Sequence, residues 1–177
     1  ATEALTTLGA TAAVKSLLAA TKTGDLAAKR TAIIAASLLG DENTLGSLDS
    51  LATSAGDKDP LAQVVQAYRA ALTAAKECKN DTGCWRGKLS DTDAKIRQRA
   101  AYQLGWAQAQ DALDDLLKAA EDNEASVRMA AVLSLGRIGG ASVDKLQEIH
   151  DRWSKKIEYK DSTQELKRLI ARTDEGA

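Results

Sequence analysis

Phenylalanine is absent from this 177-residue chain, proline and histidine each occur once, and aromatic residues amount to 3%. A single proline leaves helices free to run, because proline removes a backbone donor and breaks helix interiors. So few large rings exclude a wide globular core and favour helices that approach one another closely. One histidine, His150, excludes a His-Glu-x-x-His zinc site, and it reads as an exposed helix residue. No charge of one sign dominates: 24 basic and 25 acidic residues interleave to a net charge of -1. This balance speaks against a nucleic-acid backbone or an anionic membrane surface as partner. No apolar run reaches the roughly 18 residues that cross a bilayer, so no membrane insertion is expected. The opening Ala1-Thr2-Glu3-Ala4 has neither the basic start nor the apolar stretch of an export signal, and it lacks an initiator Met. It reads as a processed or excised chain.

Alanine is what the chain has in quantity, with 34 residues, and alanine costs least to hold in a helix. Leu8-Gly9, Leu39-Gly40, Leu104-Gly105 and Leu135-Gly136 fall 31, 65 and 31 residues apart. A unit of about 31 residues therefore repeats, the mark of stacked helical hairpins. The two clearest copies align without a gap, Asp91 to Gly105 on Asp122 to Gly136. In each, Ile96, Ala100, Leu104 and Ala107, or Val127, Ala131, Leu135 and Ile138, recur on one helical face. Asp91 and Asp122 are expected to cap the helix start, and Gly105 and Gly136 to stop it. A second helix follows each: Ala109, Ala112, Leu113, Leu116, Leu117 and Ala120 form one apolar stripe, and Val143, Leu146, Ile149 and Trp153 the next.

Earlier units are looser. Gly24 to Gly40 and Asn43 to Ser54 make one pair, and Asp59-Pro60 opens a helix towards Lys76, with proline at the tolerated first position. Ala4 to Leu8 and Thr11 to Ala20 form an incomplete first unit. The expected organisation is an all-α solenoid of about five stacked hairpins over residues 1–154, a capping helix over 155–172 and a disordered tail over 173–177.

The pattern Asp, four residues, Ile or Val, Arg, Ala and Leu-Gly is carried by Asp91, Ile96, Arg97, Ala100, Leu104 and Gly105. Asp122, Val127, Arg128, Ala131, Leu135 and Gly136 carry it again. With it the chain resembles the HEAT-repeat family, in particular the short bacterial repeats similar to those of phycobilin lyases. The resemblance implies a right-handed superhelix whose second helices line the concave side. It also implies an internal ladder between neighbouring repeats formed by Asp91, Arg97, Asp122 and Arg128. Val65 stands where the preceding repeat would carry arginine. The chain lacks the paired His-Glu motifs of the iron-binding hydroxylases among HEAT-repeat proteins, and no cofactor or metal is expected.

Cys78 and Cys84 bracket five polar, glycine-containing residues and read as a local disulfide. Two free thiols are the alternative; a zinc site, lacking four ligands, is the weakest reading. A disulfide points to an oxidising compartment such as a bacterial envelope or periplasm, and free thiols to the cytoplasm. Asp111, Asp114, Asp115 and Lys118 occupy the polar side of one second helix, and Lys145, Glu148, Asp151 and Arg152 that of the next. They are either a solvated face or the surface that takes a partner. Trp85, Trp106 and Trp153 are either anchors of such a patch or fillers between repeats. The favoured function is a non-catalytic, monomeric scaffold that binds a protein through its concave face. A phycobilin-lyase-like enzyme or chaperone and a spacer within a larger envelope protein are the alternatives.

Overall fold

The computed structural model describes residues 9–40, 42–56, 58–139, 143–156, 159, 163–164, 166–168 and 170–171. Among them every regular element is helical, and the fold is an all-α stack of HEAT-like hairpins. The chain forms two compact units, Ala1–Lys79 and Asn80–Ala177.

The first unit contains α1 (Gly9–Thr23), α2 (Leu26–Leu39), α3 (Glu42–Ala55) and α4 (Pro60–Cys78). Asp25 caps α2 by accepting from the Ala28 N–H, and Asp59 caps α4 by accepting from Leu61, both at 2.7 Å. Proline occupies the first turn of α4, where its missing N–H leaves no helical bond unmade. Helix α2 packs on α1 and α4, and α3 packs on α4. Ile33, Leu48, Val65 and Leu72 meet in a core with small Ala36, Ala52 and Ala62. Burying each of these four larger side chains contributes about 1.5–3 kcal/mol. Val65, in the register position of an arginine, lies fully inside this core.

The second unit contains α5 (Thr82–Lys88), α6 (Ala94–Trp106), a 3-10 turn (Gln110–Ala112), α7 (Leu113–Ala119), α8 (Ala125–Ile138) and α9 (Val143–Trp153). First helices α6 and α8 lie against each other, with α5 beside α6 and α7 beside α8. Ala100, Ala101, Leu104, Ala130, Ala131 and Leu135 are all buried, and the two first helices meet where Ala101 and Gly105 face Ser134. On the second helices Ala112, Leu116 and Ala120, and then Leu146, Ile149 and Trp153, are the buried positions. The stripe expected to start one helix at Ala109 is broken, because residues 110–112 are wound as a 3-10 turn. Gln110 reaches from that turn to donate to the Ile138 carbonyl at the end of α8, 3.1 Å away.

Three local expectations are corrected. Asp91 and Asp122 do not cap the first helices; that position falls on Asp93 and Glu124. Asp91 and Asp122 instead accept from the backbone N–H two residues on, at 2.9 and 2.8 Å, folding the turn before the helix. Gly105 and Gly136 do not stop the helices either, since both lie inside them. The left-handed residues come three positions later, at Gln108 (φ 49°) and Gly139 (φ 69°), again 31 residues apart. Gly105 serves close approach: a Cβ there would lie 2.6 Å from the Ser134 Cβ and 2.8 Å from its Cα. Ala107, placed by periodicity on the buried face, is exposed because α6 has already ended.

Tyr159 and Leu166 are buried, and residues 163–164, 166–168 and 170–171 are helical, within the segment expected as a cap. Residues 1–8 and the tail 173–177 lie outside the described residues.

Candidate functional site

Two sets of charged side chains join successive repeats of the second unit. The inner set begins at Arg97 on α6. Its Nε and one terminal nitrogen donate to both carboxylate oxygens of Asp122, at 2.7 and 2.8 Å. The other terminal nitrogen donates to the Asp91 and Thr92 carbonyls, at 2.9 and 3.1 Å. One guanidinium thus ties its own helix-start turn to that of the next repeat. The Arg97 and Asp122 side chains are only 16% and 12% exposed, which makes this fork-on-carboxylate pair stronger than a surface contact. Burial alone raises the Asp122 carboxyl, but the Arg97 bond, the Glu124 N–H and the charges of Arg97 and Arg128 hold it below the ordinary carboxylate value.

Arg128 repeats half of this arrangement. It donates to the Asp122 and Asn123 carbonyls at 2.8 and 2.9 Å. Where Arg97 meets a carboxylate, the Arg128 guanidinium lies 3.5 Å from the centre of the Tyr159 ring, and its buried Nε has no hydrogen-bond partner. Tyr159 therefore takes the place of the next repeat's aspartate, offering a π face in place of a carboxylate. Four ladder residues were expected: Arg97 and Asp122 pair directly, Asp91 contributes its carbonyl, and Arg128 ends the series on an aromatic ring.

The outer set joins second helices α5, α7 and α9, with Asp111 on the 3-10 turn before α7 and Glu121 just past its end. Arg86 of α5 donates to Asp115 at 2.8 Å and to Asp111 at 3.1 Å. The hydrogen bond from Arg86 holds the Asp115 carboxyl below its usual range, and the same bond raises the guanidinium. Lys118 reaches Asp115 at 3.5 Å. Lys145 of α9 meets Asp114 of α7 at 3.5 Å, and Arg152 meets Glu121 at 3.0 Å and Glu148 at 2.8 Å. Asp114–Lys145 and Glu121–Arg152 each span 31 residues, the repeat length itself. All seven candidate partner-binding residues, Asp111, Asp114, Asp115, Lys118, Lys145, Glu148 and Arg152, are thus brought onto one mixed-charge face as members of ion pairs. Arg86 and Glu121 belong to it as well; reading the 31-residue offset backwards from Arg152 would have found Glu121. Several outer members remain largely open to solvent: Asp114 is 82%, Lys118 79% and Glu148 70% exposed. An open groove of about 530 Å3 between α5 and α7 runs past Arg86, Asp115 and Lys118.

The tryptophans divide. Trp85 and Trp153 are buried, the first near the Arg99 guanidinium and the second edge-on to Tyr159. Trp106 is half-buried, stacked on Tyr102 with Arg137 5.1 Å from its ring centre. His150 is also half-buried, not exposed, with Nδ1 3.2 Å from the Asp151 carboxylate. Cys78 and Cys84 lie at disulfide distance, and no free cysteine remains among the described residues. Among the described residues no group of three potential metal ligands converges, and no helix is long and apolar enough to cross a membrane.

Helical hairpins at a 31-residue period, close first helices and side-chain ladders between repeats define a helical-repeat fold. The family model for HEAT repeats matches residues 86–158, which supports HEAT-type repeats over this part of the chain. No curated protein matches the chain.

Proposed function

We propose that the protein is a non-catalytic scaffold that binds a protein partner through the second-helix face of its second unit. The observation that carries this reading is the outer ion-pair series joining α5, α7 and α9, two of whose pairs span 31 residues, the repeat length. Each charge there is satisfied in the free protein, so a partner with matching alternating charges exchanges one set of pairs for another. Such exchange favours specificity and encounter rate over raw affinity. HEAT repeats as scaffolds for protein interaction support the same reading. The Cys78–Cys84 pair supports an oxidising compartment such as a bacterial envelope.

The test reverses the exposed members together, Asp114→Lys, Lys118→Glu and Glu148→Lys, and compares affinity capture by the two chains from an envelope extract. Proteins retained by the parent should fall at least tenfold on the variant, while its far-UV circular dichroism is unchanged. Equal recovery on both chains defeats the proposal.

A further inference from the structure

The first unit carries a groove of its own. It opens between α1 and α3, has a volume of about 890 Å3, and has Leu18 and Leu51 in its lining. Both leucines are half-buried and pack against the core, so their remaining surface supplies an apolar floor. Its two edges differ in chemistry. Along α1 stand Lys15 and Lys22, exposed and seven residues apart, hence two turns along one helical side. No ion pair among the described residues involves either lysine, whereas Arg86, Lys118, Lys145 and Arg152 on the second unit are all paired. Along α3 stand Ser47, Ser50 and Ser54. Each hydroxyl donates to the carbonyl four residues back, at 3.2, 2.9 and 2.8 Å, so its oxygen keeps acceptor capacity in the groove lining. One edge offers positive charge and the other accepts hydrogen bonds.

We propose that this groove docks an amphipathic helix of a partner protein, with carboxylates at two-turn spacing along one edge of its apolar stripe. Lys15 and Lys22 are separated by about 10.5 Å of helix rise, which matches residues i and i+7 of a helix lying alongside. Two turns of a helix about 10 Å across displace roughly 800 Å3, the size of the groove. Amide or amine donors on the far edge of that helix would meet the serine oxygens, fixing which way round it lies. An anionic lipid surface fits less well, since it calls for cations on both edges and the serine edge carries none. The groove is lined by first-unit residues alone and uses no member of the outer ion-pair series.

The probe is a fluorescein-labelled 18-residue helix of leucine and alanine with glutamates at two-turn spacing, set against its glutamine counterpart. Binding to the full chain is read by fluorescence anisotropy. The glutamate probe should bind at least tenfold more tightly than the glutamine probe, and Lys15→Glu with Lys22→Glu should remove that preference. The chain reversed at Asp114, Lys118 and Glu148 should bind the probe as the parent does, so the two proposals stand or fall separately. Equal affinity for both probes overturns the docking site. So does tighter, lysine-dependent binding to phosphatidylglycerol vesicles than to the glutamate probe, or a lysine-dependent self-association that blocks the probe.

Discussion

Replacing Gly105 by alanine should destabilise the protein although alanine is the better helix former. Gly105 lies within α6, where the change alone would gain about 1 kcal/mol of helix propensity. The new Cβ, however, would sit 2.6 Å from the Ser134 Cβ and 2.8 Å from the Ser134 Cα, which belongs to the backbone of α8. No rotamer change relieves a clash with a Cα, so α6 and α8 must separate. Overpacking of this kind costs about 1–3 kcal/mol. The buried bond from the Ser134 hydroxyl to the Ala101 carbonyl, 2.8 Å long, would stretch with it, at a further cost of about 1 kcal/mol. The net expectation is a loss of about 2 kcal/mol, with opposing propensity and clash terms included. Gly46 is the control, an exposed glycine inside α3 where a Cβ would meet no other atom within 4 Å. Its alanine variant should gain about 0.5–1 kcal/mol. Urea titration followed by far-UV circular dichroism reads both. A Gly105→Ala midpoint equal to or above that of the parent chain refutes the close-approach account.

Asp122→Asn should flatten the acid limb of stability. Because the folded Asp122 carboxyl titrates below its unfolded value, its contribution is complete above the unfolded carboxylate range of about pH 4 and is lost as pH falls through the lower folded value. Urea midpoints from pH 7 down to 3 should drop less steeply for the variant, and parallel curves would show that the Arg97–Asp122 pair contributes nothing. Tyr159→Ala should cost about 1–2 kcal/mol, since it uncovers the Arg128 guanidinium, while Tyr159→Phe keeps the ring and most of the stability. Equal losses for the two variants would contradict the cation–π role. Under non-reducing conditions neither cysteine should take up alkylating reagent, as mass spectrometry would show, and Cys78→Ser with Cys84→Ser should cost about 2 kcal/mol for so short a closed loop. Two alkylated thiols without reductant would contradict the pairing.

Much of the helical framework was legible because alanine and leucine recur at helical spacing with so little proline to interrupt them. The hairpin of α2 and α3 and the start of α4 at Pro60 were readable from caps and breakers alone. The roles inside the repeat were harder. Asp91 and Asp122 look like helix caps from local spacing; only the family resemblance pointed to a ladder, and the Asp122 carboxylate does reach Arg97 25 residues away. Gly105 looks like a stop because glycine so often follows a helix; its reason for being glycine lies on α8, at Ser134. Tyr159 falls past the last recognisable repeat, so no register points to its place over Arg128. The outer face was legible as charged positions, but its pairing pattern needed the 31-residue offset applied to side chains as well as to the Leu-Gly spacing. Arg86, on a helix of only seven residues, gave no periodic signal at all.

Site-specific photocrosslinking tests the central claim, that a partner is taken by the second helices of the second unit. A photoreactive residue would be placed in turn at Asp114, Lys118 and Glu148 on α7 and α9, and at Ser126 and Leu133 on the exposed side of α8. Adducts to a common partner should arise from the first three positions and not from the last two. Equal yields from both groups, or adducts from Ser126 and Leu133 alone, would contradict it.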